Sequence, residues 1–131
     1  KDKIKEIFAT ASNVSNKKFS KINDYELATC ILKSKAGVIS IINNSRHCSF
    51  GYDQRVEIFG NKGMLISENK RKYNFFIDRY KSAYKLQLND LFYLVKKNKK
   101  SRASFDDGEK ALFLANAAYK SLRSKKTVKI K

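Results

Sequence analysis

Residues 46–55 form a polar run that holds the side chains of this chain best suited to bind a small hydroxylated molecule. The phenol of Tyr52 and the amide of Gln54 can each donate and accept hydrogen bonds, and the guanidinium of Arg55 donates several. A β-rich run over residues 56–59 follows directly, so the polar side chains stand at the mouth of a predicted sheet, where binding residues are commonly held. One interpretation of the run is a polyol-binding segment, and the other is a ladder of charged side chains.

The geometry of a strand separates the roles of these side chains. In a strand over residues 52–58, alternate side chains point to opposite faces. Asp53, Arg55 and Glu57 would share one face, which favours a charge ladder with Arg55 held between two carboxylates. Tyr52 would lie on the other face at the start of the strand, a position that favours contact with a substrate.

The other side chains considered for chemistry are an arginine, one histidine and two cysteines. Arg46 lies past a predicted strand over residues 38–42, where it either binds substrate or pairs with a carboxylate, and the sequence does not separate these roles. His47 lacks an orienting partner and is predicted to be a loop or core histidine. A zinc site of His47, Cys30 and Cys48 lacks a fourth ligand and the usual spacing, and Cys48 as a nucleophile lacks a recognisable histidine partner. We therefore predict neither a catalytic residue nor a metal site in this chain.

The formal net charge of +17 would by itself suggest a nucleic-acid or anionic partner. The chain has 23 Lys against 6 Arg, with 11 Asn and 11 Ile against 10 Ala. This composition indicates a coding bias with lysine at ordinary surface sites, because a nucleic-acid interface more often enriches and clusters arginine. We therefore predict that nucleic acid is not the partner, and keep a standalone basic nucleic-acid-binding module as the alternative.

The length of 131 residues is enough for one domain with its own core and too short for two of good size. Two cysteines are too few for a disulfide framework, which favours a reducing, cytoplasmic setting. No apolar run reaches membrane-spanning length, so no membrane partner is predicted. The chain begins at Lys1 and its one methionine is Met64, so we expect a processed chain or a piece of a longer protein.

The pattern of apolar residues predicts strands first and helices second. Strands are predicted over residues 4–12, 25–32, 37–42, 56–59, 64–66 and 127–130, with a loop over residues 13–24. The first hairpin needs Gly37 at its turn. A helical stripe is formed by Tyr84, Leu88, Leu91, Phe92 and Val95. The aromatic residues within 73–84 are predicted to pack in the core.

A second helix is predicted to begin at Asp106, with Glu109 completing a capping box. Its packing face is predicted to hold Ala111, Ala115, Ala118 and Leu122. The order of elements indicates an α+β fold, with a mostly antiparallel open sheet and helices on one face. It does not match the alternating βαβ order of a nucleotide-binding domain, and no Gly-x-Gly-x-x-Gly fingerprint is present.

Residues 44–63 closely resemble the Asn-Ser-Arg…Gly-Tyr-Asp-Gln-Arg…Phe-Gly…Lys-Gly stretch of inositol 2-dehydrogenases. These enzymes belong to the glucose-fructose oxidoreductase and inositol dehydrogenase family. Weaker matches extend the resemblance to nearly the whole chain, from about Ile4 to Ile130. The chain departs from the family pattern at Phe50, where tyrosine is usual, at Gln87, where glutamate is usual, and in the more basic tract of residues 96–102.

Members of this family have an N-terminal Rossmann domain that binds NAD and a C-terminal α+β domain. The resemblance implies that residues 1–131 are this single C-terminal domain. It also implies that the Rossmann domain, the catalytic lysine and the Asp-x-x-x-His pair lie outside the chain, which alone would be inactive. In this match Tyr52 occupies a substrate-wall position, and Arg46, Gln54 and Arg55 are nearby substrate-binding candidates.

The intact enzyme would then oxidise a hydroxyl group of inositol or a related polyol and pass the hydride to NAD. The chain would form one wall of the substrate pocket. The open face of its sheet would build a homo-oligomer, either a dimer or a tetramer. A regulatory pseudoenzyme domain, which acts on a full-length relative through mixed oligomers, is a further alternative.

Overall fold

The structure, a computed structural model, describes residues 2–130 of the chain. These residues fall into two compact units: one holds the chain up to His47 together with the part from Ala103 onward, and the other is Cys48–Arg102. In chain order the elements are β1 (Ile4–Ser12), α1 (Lys18–Lys21), β2 (Leu27–Ser34), β3 (Ile39–Ser45), β4 (Val56–Gly60), β5 (Gly63–Ser67), α2 (Phe76–Lys96), α3 (Phe105–Ser124) and β6 (Val128–Lys129).

The first unit contains a four-stranded sheet in the order β3-β2-β1-β6, with antiparallel pairing throughout. The predicted strand over residues 4–12 is confirmed as β1, and the predicted closing strand is confirmed as β6, which pairs with Glu6 and Ile7. The β2–β3 hairpin is also confirmed. Its Gly37 has a φ of +90°, a backbone conformation that side chains with a Cβ rarely adopt. The predicted loop over residues 13–24 was wrong in part, because it contains the short helix α1.

The core of this unit lies between the sheet and α3. Ile7 and Ala9 of β1 and Leu32 of β2 are buried against Ala117 and Ala118 of α3. They lie on one face because strand side chains alternate, and Ile7 is directly opposite Leu32. Alanines on the helix let its backbone approach the sheet closely.

The predicted packing face of α3 faces the sheet, but only Ala118 and Leu122 of its four residues are buried or partly buried. Leu122 is partly buried, but Ala111 and Ala115 are exposed. The buried residues are instead Ala117, Ala118 and Ser121. Ala111 and Ala115 remain exposed because they line a cavity between the helix and the sheet, and Ser121 is a buried position that an apolarity pattern does not identify.

Helix α3 begins earlier than the sequence pattern predicts. Its N-cap is Ser104, not Asp106, and the capping box joins Ser104 to Asp107. The Ser104 hydroxyl accepts a bond from the backbone N–H of Asp107, and a carboxylate oxygen of Asp107 accepts one from the backbone N–H of Ser104, at 3.1 Å. The Ser-x-x-Asp spacing satisfies two backbone donors at the helix start.

The face of the sheet opposite α3 is apolar and exposed. Phe8 of β1, Ile31 of β2 and Ile41 of β3 form a row of directly opposed side chains across three strands. Leu27 and Ile39 extend this row on the same face. We call the five residues the open sheet face. The α+β architecture with an antiparallel sheet and a helix on one face is thus confirmed.

The second unit contains the antiparallel hairpin β4–β5 and the 21-residue helix α2. The predicted apolar stripe from Tyr84 to Val95 does lie on α2. However, no residue of α2 is buried, so the prediction that the aromatic residues of 73–84 pack in a core was wrong for those within this helix. None of the helices within residues 2–130 has the length and apolarity needed to cross a membrane.

Candidate substrate-binding site

Tyr52 lies just before β4, with its backbone held on both sides and its ring half-exposed. Its N–H donates to the carbonyl of Tyr73 at 2.8 Å. Its own carbonyl accepts from the side-chain amide of Asn69 at 2.7 Å. The ring lies 6.2 Å from that of Phe76, and 46% of the residue remains exposed. Tyr52 is therefore a half-exposed residue on a backbone that is hydrogen-bonded on both sides.

The close approach of the chain at this point requires a glycine. Gly51 has a φ of +83° and forms a bridge to Tyr73. A Cβ at Gly51 would lie 1.9 Å from the carbonyl oxygen of Tyr73, far inside van der Waals contact. The glycine thus allows Tyr52 to pair with Tyr73 in the way observed.

Asn69 connects Tyr52 to the first turns of α2. It is buried, with 9% exposure, and its side-chain oxygen accepts a hydrogen bond from Nε of Arg79. The guanidinium of Arg79 also lies over two tyrosine rings, 5.6 Å from the centroid of Tyr73 and 5.1 Å from that of Tyr80. Neither Asn69 nor Arg79 was predicted as a site residue. An Asn in a charged loop carries no pattern that distinguishes it from other loop residues.

Arg55 is engaged with carboxylates, as the charge-ladder prediction proposed. It lies 3.8 Å from Asp53, and its second partner is Glu68 at 3.6 Å instead of Glu57. The reason is that β4 begins only at Val56, so the strand alternation assumed for residues 52–55 does not apply there. Gln54 is exposed in the same segment.

Arg46 belongs to the other compact unit, and its contacts are with protein groups. Its guanidinium pairs with the carboxylate of Asp24, and its Nε donates to the carbonyl of Tyr25 at 3.0 Å. It also lies 4.9 Å from the ring centroid of Phe19. Of the two roles left open by the sequence, pairing with a carboxylate is the one observed. The predicted site residues Tyr52, Gln54 and Arg55 share the unit Cys48–Arg102, and Arg46 does not belong to it.

A buried carboxylate organises the loop after β1. Glu26 has a side chain only 1% exposed, and it accepts bonds from the backbone N–H of Val14 at 2.6 Å and of Ser15 at 2.9 Å. The Ser15 hydroxyl donates to it at 2.8 Å, and Nε2 of His47 lies 3.1 Å away. Burial alone would raise the pKa of Glu26. The bonds from Ser15, His47 and Val14 outweigh it and lower this pKa from 4.5 to about 2.

Ser15, His47 and Glu26 do not form a nucleophile triad. Both the serine hydroxyl and the carboxylate approach the same nitrogen of His47, Nε2. In a triad the base uses one nitrogen for the nucleophile and the other for the orienting carboxylate. His47 is therefore a loop residue in an ionic cluster, in agreement with the predicted loop role.

A cavity of 530 Å³ lies in the first unit, between the helix-facing side of the sheet and α3. Its lining is mostly apolar and includes the small residues Ala28, Cys30, Ala111 and Ala115. Arg46 is also among its lining residues. Burial raises the pKa of the Cys30 thiol, which makes it a poor nucleophile. Within residues 2–130 no cluster of three or more His, Cys, Asp or Glu side chains could hold a metal ion.

The fold and sequence of this chain match a known family of C-terminal domains. The sequence model of the GFO/IDH/MocA C-terminal domain family matches residues 1–66, half of the chain. The chain belongs to the GFO/IDH/MocA C-terminal domain family. The resemblance seen in residues 44–63 is thereby confirmed.

Proteins similar to this chain include inositol dehydrogenases. A myo-inositol 2-dehydrogenase from Thermotoga maritima is 33% identical over 98% of this chain and 43% of its own length. The crystal structure of a myo-inositol dehydrogenase from Corynebacterium glutamicum is 36% identical, with a TM-score of 0.91 over 98% of this chain and 44% of its own. This chain thus spans less than half the length of these relatives.

A more distant structure shows the same fold with ligands present. The scyllo-inositol dehydrogenase from Lactobacillus casei, solved with NAD(H) and scyllo-inositol, has a TM-score of 0.88 at 17% identity, over 98% of this chain and 42% of its own. At that identity the likeness concerns the fold alone.

Proposed function

We propose that this chain is the substrate-binding and subunit-contact part of an NAD-dependent oxidoreductase that oxidises a hydroxyl group of inositol or a related polyol. The observation that carries the proposal is the half-exposed phenol of Tyr52 on a backbone bonded at both its N–H and its carbonyl. A hydroxyl donor and acceptor held in place can orient one hydroxyl of a polyol for reaction. The family of the chain and the inositol dehydrogenases it resembles support this choice of substrate.

The other predicted substrate residues differ in how well they fit this role. Gln54 is exposed beside Tyr52 and can form hydrogen bonds to a second hydroxyl. Arg55 is half-exposed, and its two carboxylate partners lie at ion-pair distances, so some of its five N–H donors can still reach a ligand. Arg46 fits least well, because it already contacts Asp24, Tyr25 and Phe19.

The described residues do not fit NAD. The strands of both sheets pair only antiparallel, and residues 2–130 contain no Gly-rich turn between parallel strands of the kind that holds a dinucleotide pyrophosphate. We therefore assign NAD binding and the proton-transferring residues to a domain other than the one formed here. The role of this chain is to bind and orient the polyol. We place the enzyme in the cytoplasm, where the free thiols of Cys30 and Cys48 stay reduced.

The open sheet face supports assembly into a homo-oligomer. Its row of Phe8, Ile31 and Ile41 is apolar and contiguous across three strands. Exposed apolar surface of this kind, flanked by polar residues such as Thr29 and Asn43, is typical of protein interfaces. A two-fold axis would pair the face with its own copy.

The substrate assignment is tested by titrating the isotope-labelled chain with myo-inositol and following its amide NMR signals. We expect shifts around Tyr52 with millimolar affinity, and about a fivefold loss of affinity in Tyr52→Phe, because one hydrogen bond contributes on the order of 1 kcal/mol. Tyr93→Phe is the matched control. Tyr93 is 47% exposed on α2, and its hydroxyl contacts Lys99.

Equal affinities for wild type and Tyr52→Phe, or no shifts near Tyr52, would contradict the proposed role. Binding to a defined nucleic-acid sequence or shape, with affinity falling steeply as salt rises, would support the alternative of a basic binding module. Weak binding without preference among nucleic acids would not, because a chain of charge +17 is expected to show it.

A further inference from the structure

We propose that Arg79 is a positioning residue, which acts through the side chain of Asn69 to fix Tyr52 in its polyol-binding geometry. The inference rests on the proposed function for the role of Tyr52. The contacts that carry it all lie within the unit Cys48–Arg102.

Asn69 links Arg79 to Tyr52, because both its amide nitrogen and its amide oxygen form hydrogen bonds. Its Nδ2 donates to the carbonyl of Tyr52 at 2.7 Å, and its Oδ1 accepts from Nε of Arg79. A side-chain amide bonded at both ends has one orientation, since reversing it would bring donor to donor and acceptor to acceptor. Its burial protects both bonds from competition by water.

Arg79 is itself held in place, so it can serve as the fixed end of this connection. Its backbone N–H donates to the carbonyl of Phe75, the N-cap residue of α2, at 3.3 Å. Its planar guanidinium lies over the rings of Tyr73 and Tyr80. Cation–π contacts with two rings restrict a side chain that would otherwise be flexible.

Tyr73 contacts both Tyr52 and Arg79. Its carbonyl accepts from the N–H of Tyr52 at 2.8 Å, and its ring contacts the same guanidinium of Arg79. The peptide units on both sides of Tyr52 are therefore tied to residues that Arg79 touches. The ring of Tyr52 is left half-exposed, which is the combination expected of a group that must be oriented and yet reach a ligand.

The decisive comparison is between Arg79→Ala and Arg71→Ala. Arg71 also lies over the Tyr73 ring, at 5.2 Å, and carries the same charge, but its described contacts do not include Asn69. We expect Arg79→Ala to weaken myo-inositol binding about tenfold and to speed hydrogen exchange of the Tyr52 amide, because a hydrogen bond to a charged group is lost. Arg71→Ala is expected to leave both quantities close to those of the wild type.

Two further variants keep the test decisive if Arg79→Ala disturbs the whole unit. Asn69→Asp keeps an acceptor for Arg79 but replaces the donor to Tyr52 with an oxygen, so only the Tyr52 side of the connection is broken. The broken bond is at the Tyr52 carbonyl, and its loss loosens the segment so that the neighbouring bond from the Tyr52 N–H to Tyr73 opens more often. We therefore expect faster exchange at the Tyr52 amide with unchanged exchange in the middle of α2. Arg79→Lys retains the cation over the rings and is expected to recover part of the inositol affinity.

The inference is overturned if Arg71→Ala and Arg79→Ala change Tyr52 exchange equally, or if Asn69→Asp leaves it unchanged. Hydrogen exchange decides this without any ligand. If the wild-type chain shows no myo-inositol binding, the proposed function fails, and the exchange data still decide whether Arg79 positions Tyr52.

Discussion

At the scale of single residues, the hydroxyl of Ser121 joins α3 to the sheet from a fully buried position. It accepts a bond from the N–H of Ala9 at 2.9 Å and donates to the carbonyl of Lys126 at 2.7 Å. Strand β6 pairs only with Glu6 and Ile7, so the Ala9 N–H lies beyond its reach. A side chain has therefore replaced a strand as the partner of this backbone donor.

We predict that Ser121→Ala lowers the free energy of unfolding by about 1–3 kcal/mol, because two backbone groups lose their buried partner. Urea unfolding followed by circular dichroism measures the change. Ser124→Ala is the control, since its hydroxyl makes only a 3.4 Å bond to the carbonyl of Ser121. Equal losses in the two variants would show that the buried hydroxyl contributes no more than a surface one.

Glu26 makes the stability of the first unit depend on pH. Its folded-state pKa of about 2 lies below its ordinary value of 4.5. The carboxylate therefore contributes stability that is fully present above pH 4.5 and is lost as the pH falls toward 2. We predict that Glu26→Gln is less stable at neutral pH and loses less of its stability between pH 4.5 and 2 than the wild type does.

Urea midpoints measured across this pH range test the prediction, and Glu109→Gln, which changes an exposed carboxylate of α3, is the control. Parallel pH profiles for wild type and Glu26→Gln would contradict it. The burial of Glu26 was not predicted from the sequence, because a glutamate is almost never fully buried unless its charge is paired. Its partners could not be inferred, since Val14, Ser15 and His47 are brought to it by two separate loops.

At the scale of elements, α3 has two possible caps in its sequence, and the structure uses the first. We predict that Ser104→Ala lowers the free energy of unfolding by about 1 kcal/mol, because the Asp107 N–H loses its side-chain acceptor. Asp106→Ala should cost less, since it removes only a favourable charge from the first turn. Thermal or urea unfolding of the two variants distinguishes them, and a larger loss in Asp106→Ala would indicate that Asp106 is the cap.

Element types were well predicted from the sequence, and the burial of residues on each element was predicted less well. The strand at Ile4–Ser12 and the turn at Gly37 follow from local residue chemistry, which acts within a few positions of the chain. The stripe on α2 was also recognised, but whether it is buried depends on what packs against it. Periodicity shows that a helix has an apolar side, and it does not show what covers that side.

At the scale of the whole molecule, the exposed apolar residues of the open sheet face lead us to expect self-association. We predict that the wild-type chain self-associates and that Ile41→Lys shifts it toward monomer, because a charge cannot be buried in an apolar interface without a partner. Sedimentation velocity at several concentrations measures this.

Val38→Lys is the matched control for this prediction. Val38 is 60% exposed and Ile41 is 61% exposed, but Val38 lies in the β2–β3 turn and outside the open sheet face. A wild-type chain that stays monomeric at high concentration, or equal effects of the two lysines, would contradict assembly through this face.

The sequence by itself determined the α+β class, the antiparallel hairpins and the family, because these depend on local periodicity, turn residues and the motif in residues 44–63. Tertiary structure decided which polar groups meet. Asn69 and Arg79 are ten positions apart and reach Tyr52 only because the chain returns alongside Gly51 at Tyr73. A hydrogen bond between residues far apart in the sequence requires its donor and acceptor atoms to be placed with ångström precision. No pattern of residue types along a chain specifies such placement.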